Sequence, residues 1–180
     1  MNRKDKVDNY SAGYVDSDIK TDDHDKIMMW LDANIDSMVK KKGENYSVIR
    51  KIWEYPITMR GGRIGGYIDM LVEIGVSVKE TESEVDHRIK MAEMDKRRGY
   101  DVEVHELSKE PMTLIKQDSV IAFEVKSRIS NVGECIRQIR QYQCLCPGNV
   151  SKFVVVCPSD NFKEIIESQG IGFMACRGLF

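Results

Sequence analysis

The chain has 180 residues, 42% hydrophobic and 31% charged, with a formal net charge of −2. That balance excludes a disordered chain and allows one globular domain with a real core. It also speaks against wholesale coating of nucleic acid, while leaving room for a local basic site.

No apolar run approaches the ~18 residues of a membrane span, and the polar N-terminus lacks the apolar stretch of a secretory signal. No membrane association is expected. The five cysteines (Cys135, Cys144, Cys146, Cys157 and Cys176) are odd in number and contain no C-x-x-C pair. They read as free thiols in a reducing compartment, with a cytoplasmic location as the expectation. Cysteines and methionines alike are expected in the core.

Residues 1–21 are polar throughout and read as a flexible arm before a single domain over 22–180. Thr21, Asp22 and Asp23 offer cap chemistry for a helix. Ile27, Leu31, Ile35 and Met38 then recur on one helical face, which ends near Gly43 after Lys40, Lys41 and Lys42. A strand is predicted from Tyr46 to Ile57, a turn from Arg60 through Gly66, and a second strand from about Gly66 to Val76. Together they make an antiparallel hairpin. On the second strand Ile68, Met70, Val72 and Ile74 should share one face, and Asp69, Leu71 and Glu73 the other. The glycine-rich turn is not a phosphate-binding loop, because no Gly-Lys-Ser/Thr follows and no helix opens there.

Residues 77–117 interrupt the pattern and read as an insertion. Val85, Ile89, Ala92 and Lys96 suggest a helix, and short strands are expected at Val102 and Val104 and at Leu114 and Ile115. A third strand runs from Val120 to Lys126. Ile121, Phe123 and Val125 fall on one side, and Glu124 and Lys126 on the other. Asn131 can cap a helix through Cys146, with Val132, Ile136 and Ile139 inward and Pro147, Gly148 and Asn149 ending it. Lys152 to Cys157 is nearly all apolar, as in a strand buried on both faces. A short helix from Phe162 to Ser168 and a strand from Ile171 to Cys176 complete the chain. The order αβββαβαβ predicts an α/β core, a mixed sheet with helices on both faces.

Glu124 and Lys126 would be costly to bury without a role. If the second and third strands are neighbours, Asp69 joins them. Two carboxylates and a lysine suit metal-assisted phosphodiester hydrolysis. Asp69 and Glu124 would ligate Mg²⁺ or Mn²⁺, the Val125 carbonyl would add a ligand, and Lys126 would orient the attacking water or stabilise charge on phosphorus.

Gly66 to Asp69, the Glu124-Val125-Lys126 run and the helix after it resemble the PD-(D/E)xK nuclease superfamily, with its restriction-endonuclease-like core. Gln138 and Tyr142 resemble the Q-x-x-x-Y mark of its RecB-type branch. Four apart, they share one helix face. The resemblance implies that this face looks onto the active site and the DNA, where Gln138 and Tyr142 would orient substrate and metal waters. It further implies a metal-dependent DNA nuclease, foremost a RecB-like exonuclease in DNA processing, repair or recombination. The alternatives are a structure-specific or restriction-like endonuclease, action on RNA, or a non-catalytic binding protein on the same fold. A homo-oligomer or a helicase or recombination partner would suit such an enzyme. The family often has an acidic residue or a histidine in its first helix. His24 and Asp25 are the candidates here, with His24 read first as an ordinary polar residue at a helix start. The iron–sulfur cluster of some members is not expected, because no cysteine precedes Cys135. Arg128, Arg137 and Arg140, with Arg60 and Arg63 on the turn, are candidate phosphate contacts.

Overall fold

A computed structural model describes residues 21–59, 61–146, 148 and 150–179. Residues 1–20 of the arm expected over 1–21, and the parts assigned to Arg60, Pro147 and Asn149, lie outside those residues, whereas Thr21 caps the first helix. The first helix, α1 (Asp22–Lys40), begins where Thr21 accepts the His24 N–H, and its acidic first turn and basic last turn match the helix dipole. The strands are β1 (Tyr46–Thr58), β2 (Ile64–Lys79), β3 (Thr113–Val125), β4 (Lys152–Cys157) and β5 (Gly172–Ala175). The later helices are α2 (Glu82–Arg97), α3 (Val132–Leu145) and α4 (Lys163–Ser168).

The strands form one sheet in the order β1-β2-β3-β4-β5. β1–β2 and β2–β3 are antiparallel, and β3–β4 and β4–β5 are parallel, which the intervening helices α3 and α4 make possible. Two apolar clusters sit on opposite faces. Val154 and Val156 join Ile27, Leu31 and Ile35 of α1, whereas Phe153 and Val155 join Ile139 of α3 and Ile166 of α4. The expected mixed α/β sheet with helices on both faces is therefore present, and β4 is buried on both sides.

The insertion is smaller than expected. β2 runs on to Lys79 and β3 starts at Thr113, with Ser77↔Ile115, Val78↔Leu114 and Lys79↔Thr113 in register. Both stretches alternate, so the ladder outcompetes a loop. No strand forms at Val102 or Val104; a 3₁₀ turn spans Val104–Leu107 instead. The core expectation also fails in places: Met29 is 68% exposed, Met59 and Met91 are exposed, and Cys144 is at the surface. Cys135, Cys157 and Cys176 are buried.

One departure shapes the site. Met70, Val72 and Ile74 face α1, but Ile68 lies in the cluster on the α3 face. Gly66 lies there too, since a Cβ on it would stand 3.0 Å from the Tyr142 ring. The partner strand changes sides at the same row. Lys51 reaches Asp32 and Asp36 of α1, whereas Tyr55 and Ile57 pack on the α3 side. The hairpin thus rolls over between the pairs Trp53↔Met70 and Tyr55↔Ile68. Strict alternation cannot foresee such a roll.

Candidate active site

Asp69 lies in the row where the hairpin rolls. From Ile121 to its end β3 keeps its faces, with Phe123 and Val125 toward α1 and Ala122 toward α3. β2 and β3 therefore part company, and their paired register ends at Met70↔Phe123. Continuing it would set Asp69 opposite Glu124. Instead the Asp69 side chain fills the gap, and its Oδ2 accepts the Val125 N–H at 2.8 Å. A main-chain donor that would otherwise lose its ladder partner is thereby satisfied, and the carboxylate is fixed in orientation.

The other Asp69 oxygen, Oδ1, stands 3.3 Å from Nε2 of His24. His24 is 5% exposed, and its Nδ1 lies 3.4 Å from Oδ1 of the exposed Asp25. This corrects the expectation that His24 is an ordinary polar residue at a helix start. The signal was available in the sequence. His24, Ile27, Leu31 and Ile35 continue one helical stripe, so the histidine falls on the buried face of α1. Between the two first-helix candidates, the structure brings His24 to Asp69, with Asp25 behind it.

Glu124 and Lys126 project from the end of β3, where Lys126 lies just past the strand and donates its N–H to the Val156 carbonyl at 2.9 Å. Both side chains are buried, and Lys126 Nζ is 3.2 Å from Glu124 Oε1. Gln138 Nε2, half-buried on α3, donates to the same Glu124 oxygen at 2.9 Å and to Tyr142 Oη at 2.8 Å. Glu124 Oε2 is sealed from solvent. The expected helix pair, one turn apart on the face that packs over the sheet, thus reaches Glu124 through Gln138, with Tyr142 holding Gln138. Tyr142 is 6% exposed and rests on Gly66, where any side chain would crowd the ring. The need for that glycine was hidden in the sequence, because it comes from a helix far along the chain.

Five residues expected at a site, Asp69, Glu124, Lys126, Gln138 and Tyr142, are therefore linked in two groups. One is His24–Asp69–Val125 and the other is Lys126–Glu124–Gln138–Tyr142. Val125 joins them within one strand, because its N–H meets Asp69 and its chain neighbours are Glu124 and Lys126. The arginines behave differently. Arg137 pairs with Glu134 on its own helix, and Arg140 donates to Gln143 and to the Gln169 carbonyl. Arg63 and Arg128 are exposed.

The donor chemistry suits a hard divalent cation, which favours carboxylate and carbonyl oxygens. Asp69, Glu124 and the Val125 carbonyl are such donors, and a ligating carboxylate is commonly oriented by contacts from behind, as His24 and the Val125 N–H give Asp69. Among the described residues, however, no group of three or more His, Cys, Asp and Glu side chains is gathered as a metal-holding set. Mg²⁺ commonly takes only one or two protein carboxylates and completes its shell with water and phosphate oxygens, so two carboxylates and a carbonyl remain a chemically adequate set. Among the described residues, no helix is long and apolar enough to cross a membrane. No family model matches the chain, and no curated protein or solved structure matches it either.

Proposed function

We propose that the chain is a Mg²⁺- or Mn²⁺-dependent deoxyribonuclease with a restriction-endonuclease-like core, nearest in its motifs to RecB-type exonucleases. One observation carries the reading. Four buried ionisable side chains, His24, Asp69, Glu124 and Lys126, come from α1, β2 and the end of β3 to one region, where α3 adds Gln138 and Tyr142. Burying that much charge is costly, and a fold meeting only structural needs would more simply fill the space with apolar groups.

Asp69, Glu124 and the Val125 carbonyl would hold the metal, which supplies an activated water and neutralises charge on the phosphate. His24 steadies one Asp69 oxygen and the Val125 N–H steadies the other, so the carboxylate is preorganised. Lys126 holds a positive charge beside Glu124, where it would stabilise charge developing on the phosphoryl oxygens. Gln138 fixes the Glu124 rotamer and is itself held by Tyr142. DNA is the proposed substrate, by motif resemblance, with RNA as the alternative polymer.

A second reading, nucleic-acid binding without cleavage, is favoured by one feature: Lys126 and Gln138 both lie on Glu124 Oε1, and no three-group metal set is assembled among the described residues. One experiment separates the two. The protein and its Lys126→Ala variant are incubated with end-labelled linear DNA, closed circular DNA and RNA, with Mg²⁺, with Mn²⁺ and with chelator. Metal-dependent loss of linear DNA alone, absent in the variant, supports the exonuclease. Nicking of the circle turns the reading to an endonuclease. Parent and variant both binding DNA with no cleavage under either metal would leave the binding reading.

A further inference from the structure

Glu54 is the one non-glycine residue with a positive φ among the described residues, at 51°. Left-handed backbone is disfavoured for any residue with a Cβ, and a regular strand has no use for it. Glu54 sits mid-strand in β1, between Trp53↔Met70 and Tyr55↔Ile68, so the residue across from it is Asp69. This is the row where both strands exchange faces. Above it Lys51 and Met70 turn toward α1. Below it Tyr55, Ile57 and Ile68 turn toward α3.

We infer that Glu54 is a positioning residue: its left-handed backbone rolls the β1–β2 hairpin over at Asp69 and so delivers that carboxylate into the gap beside Val125 and His24. The geometry follows from the period of a strand. With two residues per repeat, Ile68 and Met70 belong on the same face unless the chain is rotated between them. A single left-handed residue supplies the rotation on one strand, and the paired strand follows. β3 does not roll, so β2 must peel away from it beyond Met70↔Phe123. Only the peeled segment leaves the Val125 N–H open to the Asp69 carboxylate at 2.8 Å. Strain kept in the middle of a strand is a sign of use, because selection for stability alone would place glycine there.

The inference deepens the nuclease reading at the same site, but its test does not depend on cleavage. The Val125 amide reports the placement of Asp69 through its protection from hydrogen exchange, measured by NMR. Asp69→Ala sets the scale of loss, expected at about tenfold for one removed hydrogen bond. Glu54→Gly adopts the left-handed backbone without strain, and Glu54→Gln has the same backbone preference as the parent. Both should keep Val125 protected, with Glu54→Gly melting at or above the parent temperature. Glu54→Val, whose β-branched side chain resists positive φ, should lose Val125 protection as far as Asp69→Ala does, while the Phe123 amide stays protected. If Glu54→Val does not fold, the glycine and glutamine variants still decide. Loss of Val125 protection in a folded Glu54→Gly protein would overturn the inference, since the side chain and not the backbone would then hold Asp69. Full protection in a folded Glu54→Val protein would overturn it as well. If these variants behave as expected and the parent cleaves nothing, the positioning role stands and only the nuclease reading falls.

Discussion

The two ends of the β2–β3 ladder both bury charge, and they do so in different ways. At the far end, Glu80 is 7% exposed and receives Arg88 through two guanidinium nitrogens and the Met112 N–H. The same guanidinium donates to the carbonyls of His105, Glu106, Ser108 and Glu110. One side chain thus closes the whole 80–112 insertion. Every contact there is made within a short stretch of chain, and its donors match acceptors as a structural staple requires. At the near end, His24 from α1, Asp69 from β2, and Glu124 and Lys126 from the end of β3 meet through contacts that include ones of 2.8–3.3 Å. The staple is the arrangement expected when charge holds a loop. The near end is the arrangement expected when charge is held in readiness for something else.

Substitutions at the two ends should therefore part activity from folding. On the nuclease reading, Glu124→Ala or Lys126→Ala should lower DNA cleavage by about 10³-fold or more, since each would remove a proposed metal ligand or a charge proposed to face the phosphate. Circular dichroism should remain that of the parent. Arg88→Ala should leave residual cleavage readily measurable and open the insertion, seen as new proteolytic sites within 80–112. Equal loss of cleavage from both ends would remove the distinction.

The contrast sharpens when each pair is replaced by neutral groups of similar shape. Glu124→Gln with Lys126→Met should raise stability by about 1–4 kcal/mol in denaturant titration while abolishing cleavage, because the desolvation of two charges is relieved and little structure depends on them. Glu80→Gln with Arg88→Met should lower stability, because methionine cannot serve four carbonyls. If the site pair also proves stabilising, it is a second staple and the functional argument weakens.

The smaller effect of Gly66→Ala tests the link from sheet to helix. The added methyl would stand 3.0 Å from Tyr142 Cε1 and 3.3 Å from its hydroxyl. The ring must shift, and Gln138 and Glu124 are tied to it in series. A fall of about tenfold in cleavage with little change in melting temperature is expected, since sub-ångström misplacement of a reacting group is costly to rate.

What was legible in the sequence was whatever a period could encode. α1, the hairpin, the alternation of Glu124 and Lys126 on β3, and the four-residue spacing of Gln138 and Tyr142 all follow from local repeat. The parts that were hidden depend on breaks in a repeat or on distant partners. Alternation sets Ile68 beside Met70 because a period carries no sign of the row where the β1 backbone is left-handed at Glu54. His24 reads first as a polar residue at a helix start because it lies beside the cap, although it also continues the buried stripe of α1. The insertion reads longer in sequence than it is, because the far half of the β2–β3 ladder shows only when both strands are read together.

The mildest test uses acid, and it too should separate the two ends. Arg88 beside Glu80, helped by the Met112 N–H, holds the Glu80 carboxyl below the usual range. Lys116 beside Glu84, with the Thr81 N–H and hydroxyl, takes Glu84 from an ordinary 4.5 down to about 2. A folded-state value below the unfolded one gives stability that is complete above about pH 4.5 and is lost as pH falls toward the folded value. The insertion should therefore loosen between about pH 4.5 and about pH 2, read as faster exchange of the Met112 amide. Glu84 and Lys116 are both well exposed, so salt should screen their share, whereas the Glu80–Arg88 share should persist in salt because the Glu80 side chain is only 3% exposed. A Met112 response that vanished entirely in high salt would mean that surface charge, and not the buried staple, closes the insertion. The two ends of the ladder would then differ less than their geometry implies.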